Sequence, residues 1–215
     1  MYTRGAVKPT DLFETEARRC GYRLVAGLDE AGRGPLAGPV VAAAVILPRR
    51  CQLAGLNDSK QLTAMERERL YGEIQRRAVG IGVGQASEQE IDAMNILEAT
   101  RLAMRRAIQA LPSLPDYLLL DALELHAVPL PQRAIIKGDA LSVSIAAASV
   151  VAKVTRDRVM EAYHRQYPQY NFQAHKGYGT AEHLRMLAVH GPCAIHRRSF
   201  RPVGDALTAA EQAVP

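Results

Sequence analysis

The 215-residue chain is 48% hydrophobic and 23% charged, with a formal net charge of +5. Those values fit one sizeable α/β domain, or one domain with a small appended subdomain. The longest uninterrupted apolar run, residues 40–47, is far too short to cross a bilayer, and residues 1–14 lack the apolar core of a signal peptide, so a cytoplasmic protein without a membrane partner is expected.

Residues 1–23 read as a polar lead-in with a short helix around 11–20. Residues 24–28 and 40–47 read as two strands of a hairpin with a long glycine-rich loop. The second is rich in Val, Ile and Ala without alternation, which predicts burial on both faces. Thr63, with Glu66 three residues on, forms a capping box for a helix to about residue 77. A third strand is expected over 78–84, and one long helix over 94–111, stopped by Pro112 and Pro115. Residues 117–120 form a short apolar strand ending on Asp121, and 133–136 another, followed by Lys137-Gly138-Asp139. The Ala-rich stretch 141–163 predicts a helix whose small residues let it lie close against a sheet. A further helix is expected over 180–190, and the tail from 204 is expected to be mobile. Strands first, then alternating strands and helices, predict a mixed sheet covered by helices.

Three cysteines, Cys20, Cys51 and Cys193, stand far apart, and no CxxC or HExxH occurs. This argues against zinc and for reduced, mostly buried thiols. Charge is uneven. Between Lys153 and Arg201 lie nine Lys/Arg against three acids, a local excess of +6 that exceeds the whole chain's +5. Five of the six histidines lie there too. A basic half beside an acidic cluster suggests a polyanion, nucleic acid, held against metal-binding carboxylates.

Asp29 and Glu30 close the first apolar run and open into Ala31-Gly32-Arg33-Gly34-Pro35. Acids at a strand tip are costly unless a cation neutralises them. Neighbouring side chains in a strand face opposite ways, so these two can share one ion only if the chain turns between them, which the glycines permit. Asp121 repeats the pattern of an acid ending an apolar strand, and Asp139 precedes a long helix, where a plain N-cap is the structural alternative. A carboxylate-only site suits hard Mg²⁺ or Mn²⁺, and four negative charges would be neutralised by two divalent ions.

The run Asp29-Glu30-Ala31-Gly32-Arg33-Gly34-Pro35-Leu36-Ala37-Gly38-Pro39-Val40 resembles the signature of bacterial ribonuclease HII. Similar in the same family order are Asn57-Asp58-Ser59-Lys60, Lys137-Gly138-Asp139, the helix with Ser149, Lys153 and Arg156-Asp157, Lys176-Gly177-Tyr178-Gly179-Thr180, and His196-Arg197-Arg198-Ser199-Phe200. The resemblance spans about residues 22–203. It implies a ribonuclease H-like fold: a five-stranded mixed sheet flanked by helices, with a C-terminal helical extension. On that reading 1–215 is one domain, with 22–165 catalytic, 166–203 binding substrate and 204–215 a tail. One departure stands out: Ala122 follows Asp121 where many relatives have glycine, and an ordinary backbone conformation is expected of it.

The resemblance also implies metal-ligand and catalytic roles for Asp29, Glu30, Asp121 and Asp139. The reaction it implies is cleavage of the RNA strand of RNA–DNA hybrids, and of duplex DNA 5′ of a lone ribonucleotide, leaving 5′-phosphate and 3′-hydroxyl ends. Backbone groups of Gly32, Arg33 and Gly34 would contact the 2′-hydroxyl, and Tyr178 would stack on the adjoining sugar. Lys60, Lys153, Lys176, Arg197 and Arg198 are the phosphate-binding candidates, although Lys153 could instead pair with Asp157 one helical turn away. A monomer working in ribonucleotide removal and primer removal is the expectation. A junction resolvase of the same fold would ignore the 2′-hydroxyl, and a non-catalytic binder would have no need of four acids.

Overall fold

The computed structural model of the chain describes residues 8–212, the last four as backbone. Strands β1 (Val25–Ala31), β2 (Val40–Ile46), β3 (Gly80–Ala86), β4 (Tyr117–Asp121) and β5 (Gln132–Ile135) form one sheet in the order β3-β2-β1-β4-β5. β2 runs antiparallel to both of its neighbours, β1 and β3. β4 joins β1 in parallel and β5 joins β4 in parallel, so the sheet is mixed as expected.

The helices are α1 (Leu12–Arg19), α2 (Ala64–Arg77), α3 (Glu88–Met94), α4 (Ile96–Gln109), α5 (Gly138–Leu141), α6 (Val143–Gln166), α7 (Phe172–His175), α8 (Ala181–His190) and α9 (Arg201–Gln212). The capping box of α2 is present, with Thr63 and Glu66 satisfying each other's backbone amides. β2 is buried along its whole length. Its Val40, Ala42, Ala44 and Ile46 pack with Ala103, Met104 and Ala107 of α4. Ala43 and Val45 face Leu70 and Ile74 of α2 and the alanines of α6 on the opposite side. Two helical layers therefore sandwich the sheet, and period-2 pleating decides which core each residue joins.

α6 lies hard against β1 because Gly27 faces it: a Cβ there would overlap the backbone of Ser144 and Ile145. Buried Glu14 of α1 anchors the start of α6, accepting hydrogen bonds from Ser144 N (2.9 Å), Ser144 Oγ (2.6 Å) and Ser142 Oγ (2.5 Å).

Several expectations need correction. The helix expected over 94–111 is α4, which starts at Ile96; α3 (Glu88–Met94), which was not expected, precedes it, and Asn95, whose φ of 74° leaves the helix and whose side chain caps α4, parts the two. β3 begins two residues later than expected. No helix is expected over the tail from 204, but α9 runs from Arg201 to Gln212, with buried Val203 packed on Leu36 and Leu187. Residues 213–215 lie outside the described ones. Ala122 is not ordinary: its φ is 51°, in the left-handed region. Cys20 is exposed rather than buried, and all three thiols are free.

Candidate active site

β1 does not end before its acids. It runs through Asp29 and Glu30 to Ala31, with Asp29 registered on Ala43 and Glu30 on Ala42. The chain does not turn between the two carboxylates, so pleating sends them to opposite faces. The strand ladder explains this, since both residues still have β2 partners. Asp29 shares the face of Gly27, toward α6, and so does Asp121 at the end of parallel β4, one step past the Leu28–Leu120 pair.

Asp139 comes from α5, directly before α6. Carboxylate oxygens of Asp29, Asp121 and Asp139 all lie within 4.8 Å of one another, the one such acid, histidine or cysteine group among the described residues. Glu30 is outside that trio and pairs with Arg33 through Oε1 and Nη1 at 3.3 Å. Asp121 Oδ1 accepts from Gly138 N (2.8 Å), which ties β4 to the loop that carries Asp139. Asp29 Oδ1 accepts from Glu30 N (2.8 Å). Asp29 Oδ2 and Glu30 Oε2 are buried with no hydrogen-bond donor among the described residues.

The electrostatics agree with the geometry. Burial pushes the Asp29 carboxyl well above its ordinary value, and Glu30 and Asp121 push it further. Burial likewise raises Glu30, Asp121 and Asp139, with Asp121 adding to the shift of Asp139. Lys60 stands at the rim, its Nζ 3.5 Å from Asp139 Oδ2 and 4.0 Å from Asp58 Oδ1. Partial burial opposes its charge, but Asp58, Asp29, Asp139 and Asp121 outweigh that and raise its pKa. Three crowded carboxylates with an orphaned buried oxygen fit a hard divalent cation, which would relieve both the repulsion and the missing donor.

The loop over 32–39 lies beside this cluster, with Gly34 next to the exposed ring of Tyr178, whose side is reached 3.8 Å from where a Cβ would stand. Leu36 N donates to Gly177 O (2.8 Å), joining that loop to the Tyr178 turn. The basic candidates divide. Lys60 and Arg198 are exposed. Lys153 is paired with Asp157 (2.6 Å) and Lys176 with Glu161 (2.7 Å). Arg197 differs from the others: it is fully buried, and four of its five N–H donors go to backbone carbonyls. The family motifs quoted from the sequence contain Asp58 and Arg156 but give them no role, and Asp92, which accepts from the backbone of Arg198 and Ser199, is in none of them.

The model of one family, ribonuclease HII, matches residues 26–203. The chain belongs to the ribonuclease HII family. It is 58% identical over 198 residues to the ribonuclease HII of Enterococcus faecalis, covering 92% of this chain and 77% of that one. It is 54% identical over 195 residues to that of Syntrophotalea carbinolica, covering 91% and 93%. Among solved structures, the ribonuclease H2 of Pyrococcus horikoshii superposes with a TM-score of 0.75 at 26% identity, over 88% of this chain and all of that one. A Bst ribonuclease HIII in complex with Mn²⁺ shares the fold, with a TM-score of 0.68 at 20% identity over 88% of this chain and 70% of that one. As a ribonuclease HII, the protein is a ribonuclease H-fold hydrolase, an endonuclease acting on RNA–DNA hybrids, and its partner is nucleic acid. Metal dependence is a family property that the aspartate trio fits. No helix among the described residues is long and apolar enough to cross a membrane.

Proposed function

We propose that the protein cuts duplex DNA on the 5′ side of an embedded ribonucleotide as well as continuous hybrids, using two divalent ions, Mg²⁺ or Mn²⁺. The observation that carries this reading is the convergence of Asp29, Asp121 and Asp139 from β1, β4 and α5 beside the glycine loop. These three residues would hold the ions, with Glu30 as the fourth carboxylate. When bound, the ions supply the charge that lowers the pKa of an attacking water from ~15.7 towards ~7 and stabilises the departing 3′-oxygen. The products are then a 5′-phosphate and a 3′-hydroxyl.

The rest falls to the chain itself. Lys60 faces the acids and approaches a phosphate from the rim, with Arg198 as a second exposed cation. Lys153 and Lys176 would have to exchange Asp157 and Glu161 for phosphate to join them. Such contacts position the duplex without reading sequence. Discrimination falls to the 2′-hydroxyl, donor and acceptor at once, met by the backbone of Gly32, Arg33 and Gly34, with Tyr178 stacking on the adjoining sugar. The setting we assign is a cytoplasmic monomer that removes ribonucleotides and RNA primers from DNA.

The test is a labelled DNA duplex with one ribonucleotide, incubated with Mg²⁺ or Mn²⁺ beside an all-DNA duplex and a chelator control. One metal-dependent nick 5′ of the ribonucleotide, absent from all-DNA, is expected. Cleavage of continuous hybrid alone would discard the junction activity. Cleavage of all-DNA would discard the 2′-hydroxyl readout.

A further inference from the structure

Two arginines beneath the glycine loop are unusually placed. Arg156 of α6 is 1% exposed and Arg197 is 0% exposed. Buried cations are ordinarily matched by a carboxylate, yet neither makes an ion pair among the described residues, and every hydrogen bond they donate goes to a main-chain carbonyl. Arg197 donates to Gly38 O through Nε (2.9 Å) and Nη2 (2.7 Å), to Arg33 O through Nη1 (2.8 Å), and to Gly32 O through Nη2 (2.5 Å). Arg156 donates to Pro39 O (3.1 Å), Ala37 O (3.1 Å) and Lys176 O (3.0 Å). Gly32, at φ 95°, leaves room for this: a Cβ there would overlap the Arg156 side chain.

The consequence follows from peptide geometry. Among the described residues no peptide bond is cis, so in each unit the C=O and the following N–H point opposite ways. With the carbonyls of Gly32 and Arg33 turned down onto Arg197, the N–H groups of Arg33 and Gly34 point away from it. Neither N–H has an acceptor among the described residues. Two adjacent peptide units are thus oriented, and polarised by a buried cation, so that free donors face outward beside Tyr178. Arg156 extends the same clamp to the turn that carries Tyr178, through Lys176 O.

We infer that Arg197 and Arg156 are positioning residues for 2′-hydroxyl recognition: they set the peptide planes of Gly32-Arg33-Gly34 and the distance from that loop to Tyr178, while touching no substrate themselves. This rests on the proposed reading of the glycine loop. A planar fork is required because carbonyls of residues 32, 33 and 38 must be met together, which one ammonium on a flexible stem cannot do. Burial, reinforced for Arg197 by neighbouring Arg156, lowers the pKa of both, to about 9 for Arg197, and buried Glu88 nearby offsets this only in part.

The experiment measures affinity, by fluorescence anisotropy in chelating buffer, for a duplex with one ribonucleotide and for its all-DNA counterpart. Wild type should prefer the former; equal binding would overturn the reading of the loop and this inference with it. Given that preference, R197K should lower it about tenfold, as expected for loss of one well-made hydrogen bond, while affinity for all-DNA holds. An unchanged preference, or equal losses on both duplexes, would overturn the inference while leaving the loop's role intact. R156K gives a second variant with the same expectation. Should neither fold, NMR of wild type decides. The Nε–H signals of both arginines should shift together with the Arg33 and Gly34 amides on adding the ribonucleotide duplex alone. Amide shifts without the arginine signals would sink the idea.

Discussion

Asp29 and Asp121 stand side by side on one face of parallel neighbours β1 and β4, one step past the Leu28–Leu120 pair, while Glu30 lies outside the trio and pairs with Arg33. The pairing puts two carboxylates where ionising both is costly. Burial raises both pKa values, and Asp121 adds to the shift of Asp29, a cost that a bound cation would relieve.

D121N should remove that cost and the activity together. Asn keeps an oxygen for Gly138 N–H, so the loop to Asp139 stays tied. Cleavage of an RNA–DNA hybrid should fall by roughly 10³ or more, as loss of several kcal/mol of metal-borne stabilisation requires. Hybrid binding and melting temperature should hold or rise. Binding lost in step with activity would assign Asp121 a structural role.

Stability of the metal-free protein should fall as pH rises from about 4. Asp29, Glu30, Asp121 and Asp139 all have folded-state pKa values above their ordinary ones, so the folded state binds more protons across that window. The stability they contribute is present at low pH and lost as each ionises in the fold. Mg²⁺ or Mn²⁺ at neutral pH should recover it. Thermal melts against pH, with and without the ion, check both signs; a metal-free melting temperature that climbs between pH 4 and 7 would contradict the assignment.

Y178A should leave stability within about 0.5 kcal/mol, since the ring is 45% exposed. Cleavage at a lone ribonucleotide should suffer more than cleavage along continuous hybrid. Parallel assays on the two substrates give the ratio, and equal losses would remove the junction-sensing role.

A122G should stabilise the fold by about 0.5–1 kcal/mol. The left-handed backbone of Ala122 costs about 1–2 kcal/mol for a residue with a Cβ, partly offset by the greater entropy glycine has when unfolded. Denaturant melts measure the difference, and a loss of stability would show that the turn carries no such strain.

G27A tests the close seating of α6. A methyl group there would meet the backbone of Ser144 and Ile145, which has no rotamer to give way. A loss of about 3 kcal/mol or more is expected in chemical denaturation, and Asp139, carried on the same segment, should move off Asp29 so that metal affinity falls too. Unaltered melting would show that α6 can retreat.

Much was legible locally. The Thr63–Glu66 box needs only a three-residue spacing, and the unbroken apolar run of β2 needs only burial on both faces. Asp29 and Asp121 were legible as acids ending apolar segments, and Asp139 as an acid just before a long helix. Other features were not. A turn between Asp29 and Glu30 was a fair reading of adjacent acids before glycines, but pairing with β2 carries the strand past both. Arg197 read as a phosphate-binding candidate in a basic stretch, but long-range packing buries it under the glycine loop.

By itself, then, the sequence determined the element types, the family and the three aspartates, because caps, apolar periods and short motifs act over a few residues. Tertiary structure alone decided that those aspartates meet, that Glu30 pairs with Arg33 outside the trio, and that two arginines turn inward to hold the glycine loop. Those outcomes depend on strand register and on which carbonyls are left without a partner once distant segments pack together.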